Sequence, residues 1–135
     1  MSAKKILVVD DSLTSLMWQR MILAGEDYQV VTAKDGREGV ASALAERPDL
    51  ILMDVTMPNM DGVEACRAIR ANPATRAIPV IMVATKSGLK LLEGSAGCGH
   101  DDYLLKPFER SDLLAKVRRF LGHAAVAMSA PVGAV

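Results

Sequence analysis

The 135-residue sequence has little cysteine, few aromatic residues and no excess of charge of either sign. Its only thiols are Cys66 and Cys98. Neither is placed at a metal-ligand spacing from a histidine or from the other thiol, so the sequence predicts two unrelated, reduced cysteines rather than a disulfide scaffold or a zinc site. His100 and His123 are assigned no function for the same reason.

The charge balance excludes a strong field over the surface, because sixteen Lys and Arg residues offset sixteen Asp and Glu residues. No basic cluster is interleaved with aromatic side chains, so we expect no nucleic-acid partner. No apolar run approaches the roughly 20 residues that span a membrane, and Met-Ser-Ala-Lys-Lys leads straight into a strand rather than a signal peptide. The expected location is the cytoplasm, with no membrane contact.

What is present is an alternation of short apolar runs and helical patterns, which favours a parallel α/β sheet with helices on both faces. The length suits one domain, predicted over 1–122, and the small residues of 123–135 predict a disordered tail. Strands are predicted over 6–10, 28–32, 50–53, 79–84 and 103–105, and helices over about 12–24, 35–46, 63–71, 89–96 and 111–121, with Ser12 and Ser111 as N-caps.

Charged side chains follow three of these strands at the point where each strand ends. Asp10 and Asp11 follow the first strand, Asp54 closes the third, and Lys106 follows the fifth. Open α/β sheets place their ligand sites at the carboxyl ends of the strands. The stiff turn sequence Met57-Pro58-Asn59-Met60-Asp61-Gly62 after Asp54 is typical of a specified loop.

Together these motifs resemble the receiver domain of response regulators. That family has an acidic pair after strand 1, Asp-x-x-Met-Pro-x-Met-Asp-Gly after strand 3 and Lys-Pro-Phe after strand 5. This chain has Asp10-Asp11, Asp54 through Gly62, and Lys106-Pro107-Phe108. The resemblance extends from about Lys4 to Gly122 and implies a doubly wound, CheY-like (flavodoxin-like) sheet with strand order 2-1-3-4-5.

The resemblance also implies a magnesium site. Three crowded carboxylates repel one another, and Mg²⁺ relieves this with oxygen ligands. Asp11 and Asp54 would bind the metal directly, Asp10 mainly through water, and the main-chain carbonyl of Thr56 would be the third protein ligand. A simple cation site without phosphoryl chemistry is the alternative.

By resemblance, Asp54 is the phosphoacceptor, Lys106 contacts the phosphoryl group, and the Lys106–Pro107 bond is cis. A sensor histidine kinase or phosphotransfer protein would supply the phosphate. The chain would hold it as a switch with slow self-dephosphorylation, and would not be an enzyme. Tyr103 fits the family's aromatic switch position. The switch hydroxyl falls on Ala84, so Thr85, one residue later, either takes this role from a flexible loop or leaves it vacant.

Two surfaces are candidates for docking a downstream protein. One is the α4-β5-α5 face that the family uses, at about 89–121. The other is the first helix, which has too many apolar residues for one buried stripe. Either Trp18 and Ile22 pack inward while the rest are tolerated at the surface, or the helix exposes an apolar patch for a partner or a second copy.

Three functions remain open from the sequence. The leading hypothesis is a stand-alone receiver of a two-component phosphorelay, monomeric or weakly dimeric. The second is a constitutive interaction module that keeps the pocket but does not switch. The third, an Asp-x-Asp phosphatase, ranks last because Thr56 stands where the second acid belongs.

Overall fold

The computed structural model describes residues 3–94 and 97–122. Five strands alternate with five helices over this part of the chain. The elements are β1 (Lys5–Val9), α1 (Leu13–Ala24), β2 (Gln29–Ala33), α2 (Gly36–Glu46), β3 (Leu50–Asp54), α3 (Gly62–Ala71), β4 (Val80–Ala84), α4 (Lys86–Gly94), β5 (Asp102–Leu105) and α5 (Arg110–Leu121).

The five strands form one parallel sheet in the order β2-β1-β3-β4-β5, which is the predicted fold. β3 lies at the centre, and all five of its residues are buried. Val9 of β1 is paired with Met53, and Asp54 with Val83 of β4. The ends of β1, β3 and β4 therefore meet at one edge of the sheet.

The core has two halves because successive strand residues point to opposite faces. Ile6, Leu52 and Val83 pack on one face with buried residues of α1 and α5. Leu7, Met53 and Met82 pack on the other face with residues of α2, α3 and α4. The helices thus cover both faces, as doubly wound sheets require.

Two predicted helix starts are wrong. α4 begins at Lys86 instead of near 89, because the Thr85 hydroxyl accepts a hydrogen bond from the Gly88 N–H and the Thr85 carbonyl accepts one from Leu89. α5 has Glu109 rather than Ser111 as its N-cap, since the Asp112 carboxylate accepts a hydrogen bond from the Glu109 N–H. The predicted end of α4 at Ala96 and the tail at 123–135 lie outside the described residues.

The first helix exposes an apolar patch. Leu13, Met17 and Met21 are 67%, 62% and 66% exposed and recur every fourth residue, so they form one line along the helix, here called the α1 stripe. Trp18 does not pack into the core; it is 37% exposed and its ring lies 5.2 Å from that of Phe108. Ile22 is buried in the core as the first alternative predicted, but Trp18 is not, and a docking role for the exposed residues stays a prediction.

The two cysteines are neighbours, not unrelated thiols. Cys66 lies on α3 and Cys98 precedes β5, and both are free and buried. Their separation of 32 residues along the chain gave no signal of this contact.

No helix within the described residues is long and apolar enough to cross a membrane.

Candidate phosphoacceptor site

Three carboxylates converge where β1 and β3 end. One ligand oxygen from each of Asp10, Asp11 and Asp54 lies within 4.8 Å of the others. Asp10 and Asp54 are buried, whereas Asp11 is exposed. The site is therefore a partly enclosed acidic pocket that is open on the Asp11 side, and the predicted acids are the ones that meet there.

The Asp10 carboxylate is fixed by donors from the start of α1. Its Oδ1 accepts a hydrogen bond from the Ser12 N–H (2.9 Å), and its Oδ2 accepts one from the Ser15 hydroxyl (2.7 Å) and a longer one from Gln19 Nε2 (3.5 Å). Gln19 Nε2 also donates to the Ser15 hydroxyl at 3.0 Å. Sequence reasoning missed Ser15 and Gln19; their four-residue spacing after the acidic pair was the only available signal.

Lys106 brings the positive charge into the pocket. Its Nζ lies 3.0 Å from Asp10 Oδ2 and 3.3 Å from Asp54 Oδ1. Its backbone N–H donates to the Ala84 carbonyl at 2.7 Å, and the Lys106–Pro107 peptide bond is cis, as the resemblance implied. Burial alone would lower the pKa of Lys106, but the Asp54 and Asp10 carboxylates outweigh it and raise that pKa. The lysine is therefore held as a cation.

The surroundings of Asp54 disfavour the ionised form of its carboxylate. Burial, followed by repulsion from Asp10, raises its pKa to about 6, and Lys106 only partly opposes this. Three converging carboxylate oxygens with one cation leave net negative charge in the pocket. That donor set fits Mg²⁺, which prefers carboxylate, carbonyl and water oxygens.

The loop after β3 is built to approach Asp54 closely. A Cβ on Gly62 would collide with the Asp54 carbonyl, so only glycine fits there. Asp61 caps α3 by accepting a hydrogen bond from the Glu64 N–H, while Glu64 accepts one from the Asp61 N–H. Thr56 lies in this loop with its hydroxyl near Gly88 of α4. The Thr56 carbonyl as a metal ligand stays a prediction.

The residues at the end of β4 differ from the sequence expectation. Ala84 is buried on the α4 side of the sheet. The Thr85 hydroxyl caps α4 and lies 3.2 Å from the Ser87 hydroxyl, so residues 86–88 are the first turn of a helix, not the flexible loop expected from the sequence. The Thr85 side chain is exposed and lines a groove together with Lys106.

This groove lies beside the end of β4. Its volume is about 550 Å³, and it connects the exposed start of α1 with Thr85 and the Lys106-Pro107-Phe108 segment. Trp18 and Phe108 form its apolar wall, while Ser12, Thr14 and Ser15 line the α1 side. A partner that enters this groove would reach Lys106 directly. On the far side of β5, Tyr103 is 43% exposed, with Lys116 Nζ 5.7 Å from its ring centre.

Comparison with known proteins agrees with this geometry. The family model of the response regulator receiver domain matches residues 6–118. The response regulator ArlR of Staphylococcus saprophyticus is 38% identical over 117 residues, which is 87% of this chain and 52% of that protein. Other curated relatives are named DNA-binding response regulators, and the chain likewise spans about half of their length.

Two solved structures are similar over nearly their whole length. The chemotaxis protein CheY4 of Vibrio cholerae has a TM-score of 0.79 and 37% identity, covering 88% of this chain and 99% of that one. The receiver domain of the sensor histidine kinase PA1611 from Pseudomonas aeruginosa has a TM-score of 0.80 and 34% identity, covering 90% and 99%. That structure is described with a magnesium ion coordinated in its active-site cleft.

Proposed function

The chain belongs to the response regulator receiver domain family, and from this we propose that Asp54 accepts a phosphoryl group from a phosphohistidine and acts as a Mg²⁺-dependent switch. The observation that carries the proposal is the meeting of Asp10, Asp11, Asp54 and Lys106 at one edge of the sheet. The donor is a sensor histidine kinase or a phosphotransfer protein, and the compartment is the cytoplasm.

In the transfer, an Asp54 carboxylate oxygen attacks the phosphorus atom. The new O–P bond forms as the N–P bond to the donor imidazole breaks, and the imidazole leaves and takes a proton from solvent. Lys106, already 3.3 Å from Asp54, stabilises the added negative charge as a compact cation. The product is an acyl phosphate on the chain's own side chain, so hydrolysis resets a switch and the chain is not a turnover enzyme.

Asp10, Asp11, Asp54 and the Thr56 carbonyl are the residues that would hold the metal. Bound Mg²⁺ supplies charge neutralisation for the transferring phosphoryl group. The elevated pKa of Asp54 supports this assignment, since uncompensated negative charge is what a divalent cation relieves. Asp10 already receives several hydrogen bonds from the chain, which supports its contact with the metal through water.

Phosphorylation is read out by the end of β4 and by β5. Thr85 takes the role of the switch hydroxyl: its oxygen now accepts a hydrogen bond from the Gly88 N–H, and the side chain would turn away from that group to donate its own proton to a phosphoryl oxygen. This would loosen the first turn of α4 and allow Tyr103, now outside, to change position.

The output surface is the α4-β5-α5 face. β5 is the edge strand of the sheet, and Leu91, Tyr103 and Leu105 are large exposed apolar residues there. A groove of about 530 Å³ separates β5 from α5. Apolar groups on an open strand edge suit the docking of another protein, and a phosphate-driven shift of α4 would alter this surface. The α1 stripe, beside the groove at Lys106, is the second docking surface.

Phosphorylation by a small phosphodonor tests the proposal. The protein is incubated with acetyl phosphate and Mg²⁺, and its intact mass is measured. We expect the mass to rise by one phosphoryl group in the wild type and in Asp27→Asn, a matched exposed aspartate with positive φ that asparagine accepts. Asp54→Asn should show no increase. An unmodified wild type, or a phosphorylated Asp54→Asn, would refute the assignment.

One observation favours a second function, a constitutive interaction module. Ala84 has no hydroxyl at the family's switch position, and Thr85 is already engaged as a helix cap. Such a module would dock its partner through the same surfaces with equal affinity before and after treatment with the phosphodonor. Partner affinity that depends on the Asp54 phosphoryl group separates the two.

A further inference from the structure

A second cluster of reactive side chains lies away from the acidic pocket, between α3 and the segment before β5. Cys66 is fully buried on α3, and Cys98 is 7% exposed. The Cys66 thiol donates a hydrogen bond to the Cys98 carbonyl at 3.3 Å. The Cys98 sulfur in turn lies 3.6 Å from His100 Nδ1.

Helix α3 holds this segment in a fixed position. Carbonyl groups of three successive residues accept hydrogen bonds from α3: Gly97 from Arg67 (3.4 Å), Cys98 from Cys66, and Gly99 from Arg70 Nε (2.8 Å). Gly97 and Gly99 have φ values of +81° and +86°, which favour glycine. This tight turn places the Cys98 side chain against α3 instead of in solvent.

The environments of the two thiols are unequal. The neighbouring Cys66 thiol, and then the contact with His100, lower the pKa of Cys98 to about 6 against the opposing effect of burial. The neighbouring Cys98 side chain and burial raise the pKa of Cys66. Cys98 is therefore the more acidic thiol and Cys66 the less acidic one, which is the division between an attacking and a resolving thiol.

We propose that Cys98 and Cys66 form a peroxide-oxidisable dithiol site, in which Cys98 attacks, Cys66 resolves, and His100 is a positioning residue for the Cys98 sulfur. The site is independent of the phosphoacceptor pocket. Within residues 3–94 and 97–122, the only group of ligands compact enough for a metal ion is the three carboxylates, so the thiol cluster is assigned to redox chemistry rather than to metal binding.

The oxidation has two balanced steps. The Cys98 thiolate attacks one oxygen of hydrogen peroxide, an S–O bond forms, the O–O bond breaks, and hydroxide leaves and is protonated by solvent. Cys66 then attacks the Cys98 sulfenic acid, the S–S bond forms, and the hydroxyl departs with the Cys66 proton as water. Two thiols are oxidised to a disulfide and one peroxide is reduced to water. The product ties α3 covalently to the segment that leads into β5.

The site is tested on the full chain with hydrogen peroxide. Wild type is reduced, exposed to peroxide, quenched with a maleimide in denaturant, and mapped by mass spectrometry. We expect a Cys66–Cys98 disulfide within single chains that dithiothreitol reverses. Cys66→Ser should instead accumulate a dimedone-reactive sulfenic acid at Cys98. In Cys98→Ser, Cys66 should stay reduced.

His100→Gln, compared with His123→Gln as the matched control, tests the positioning role. Alkylation of Cys98 at pH 7 should slow by roughly threefold to tenfold in His100→Gln and be unchanged in the control. Phosphorylation by acetyl phosphate checks that each variant is folded. Both thiols remaining reduced in wild type, disulfides only between chains, or equal alkylation rates in the two histidine variants would each overturn the proposal.

Discussion

At the scale of single residues, Asp54 occupies a position that serves chemistry at the expense of stability. Its carboxylate is 6% exposed, Asp10 repels it, and Lys106 only partly compensates. A residue chosen for folding alone would not carry a charge there. The buried charge therefore lowers the free energy of unfolding of the metal-free protein, and a bound cation or a neutral side chain would raise it.

Replacing Asp54 with asparagine should stabilise the metal-free protein. The native pKa of about 6 lies above the unfolded value of about 3.9, so the ionised carboxylate destabilises the fold at pH 7. The free energy of unfolding of Asp54→Asn should exceed that of wild type at pH 7 by up to about 3 kcal/mol. The difference should shrink as the pH falls through 6 and vanish below about 4.

Urea denaturation in the presence of a chelator measures this difference, with Asp27→Asn, at an exposed aspartate, as the control. A loss of stability in Asp54→Asn at pH 7 would show that the carboxylate makes favourable contacts that outweigh its burial. The pKa of Asp54 in the folded protein would then lie below the unfolded value, not above it.

The acids and the lysine could be found from sequence because each follows an apolar strand, and parallel strands end at a common edge. Ser15 and Gln19 could not be found in this way. Their contact with Asp10 depends on how α1 is rotated about its own axis, and serine and glutamine on a helix are usually solvated.

At the scale of elements, the start of α4 differs from the sequence prediction and carries Thr85, the proposed switch hydroxyl. Ser87 and Gly88 have weak helix propensity, so the sequence favours a loop there. The cap formed by the Thr85 hydroxyl and carbonyl begins the helix three residues earlier than propensity suggested. The same hydroxyl is the proposed sensor of the phosphoryl group, so one side chain has two competing partners.

Thr85→Ala tests whether that hydroxyl couples the two roles. Loss of the cap should lower the free energy of unfolding by about 1 kcal/mol. Phosphorylation of Asp54 should persist, while the change in the NMR signals of Tyr103 on phosphorylation should be lost. Ser87→Ala, which removes the neighbouring hydroxyl, should retain it. An undiminished Tyr103 response in Thr85→Ala would remove Thr85 from the switch.

The ion pairs of Glu26 with two arginines of α5 should make the stability of the protein depend on pH. Glu26, just after α1, forms ion pairs with Arg110 (2.9 Å) and Arg118 (2.6 Å) of α5, and these hydrogen bonds lower its pKa. Glu26→Gln should lower the free energy of unfolding at pH 7 by no more than about 1 kcal/mol, because the pair is partly exposed.

The sign of the effect follows from the lowered pKa. The Glu26 ion pairs stabilise the fold above the unfolded glutamate pKa of about 4.3. This stabilisation is lost as the pH falls through the pKa of Glu26 in the folded protein. Thermal denaturation of Glu26→Gln and wild type should therefore differ at pH 7 and converge in acid. Glu93→Gln, an exposed glutamate on α4, is the control. A gap that stays constant down to low pH would mean that the arginines contribute by packing alone.

At the scale of the whole molecule, the alternation of buried runs and helical patterns predicted a parallel sheet with helices on both faces, and the resemblance to receiver domains implied the strand order. The exposed surfaces, and the contacts between residues that are distant in sequence, could not be predicted in this way. The apolar pattern of α1 did not distinguish an inward-packed Trp18 from an exposed one, because its position depends on the contact with Phe108, which is distant in sequence. Cys66 and Cys98 meet only because α3 and the segment before β5 are neighbours in space.

We proposed that one phosphoryl group at Asp54 changes the conformation of the α4-β5-α5 face. An NMR titration with Mg²⁺ and then beryllofluoride, a mimic of the phosphoryl group on Asp54, measures this change. We expect saturable shifts around Asp10 and Asp54 with Mg²⁺, further shifts from Thr85 through Tyr103 with beryllofluoride, and no beryllofluoride response in Asp54→Ala. Mg²⁺ binding with no further change across β4 to α5 would contradict it, and the chain would then be a constitutive docking module.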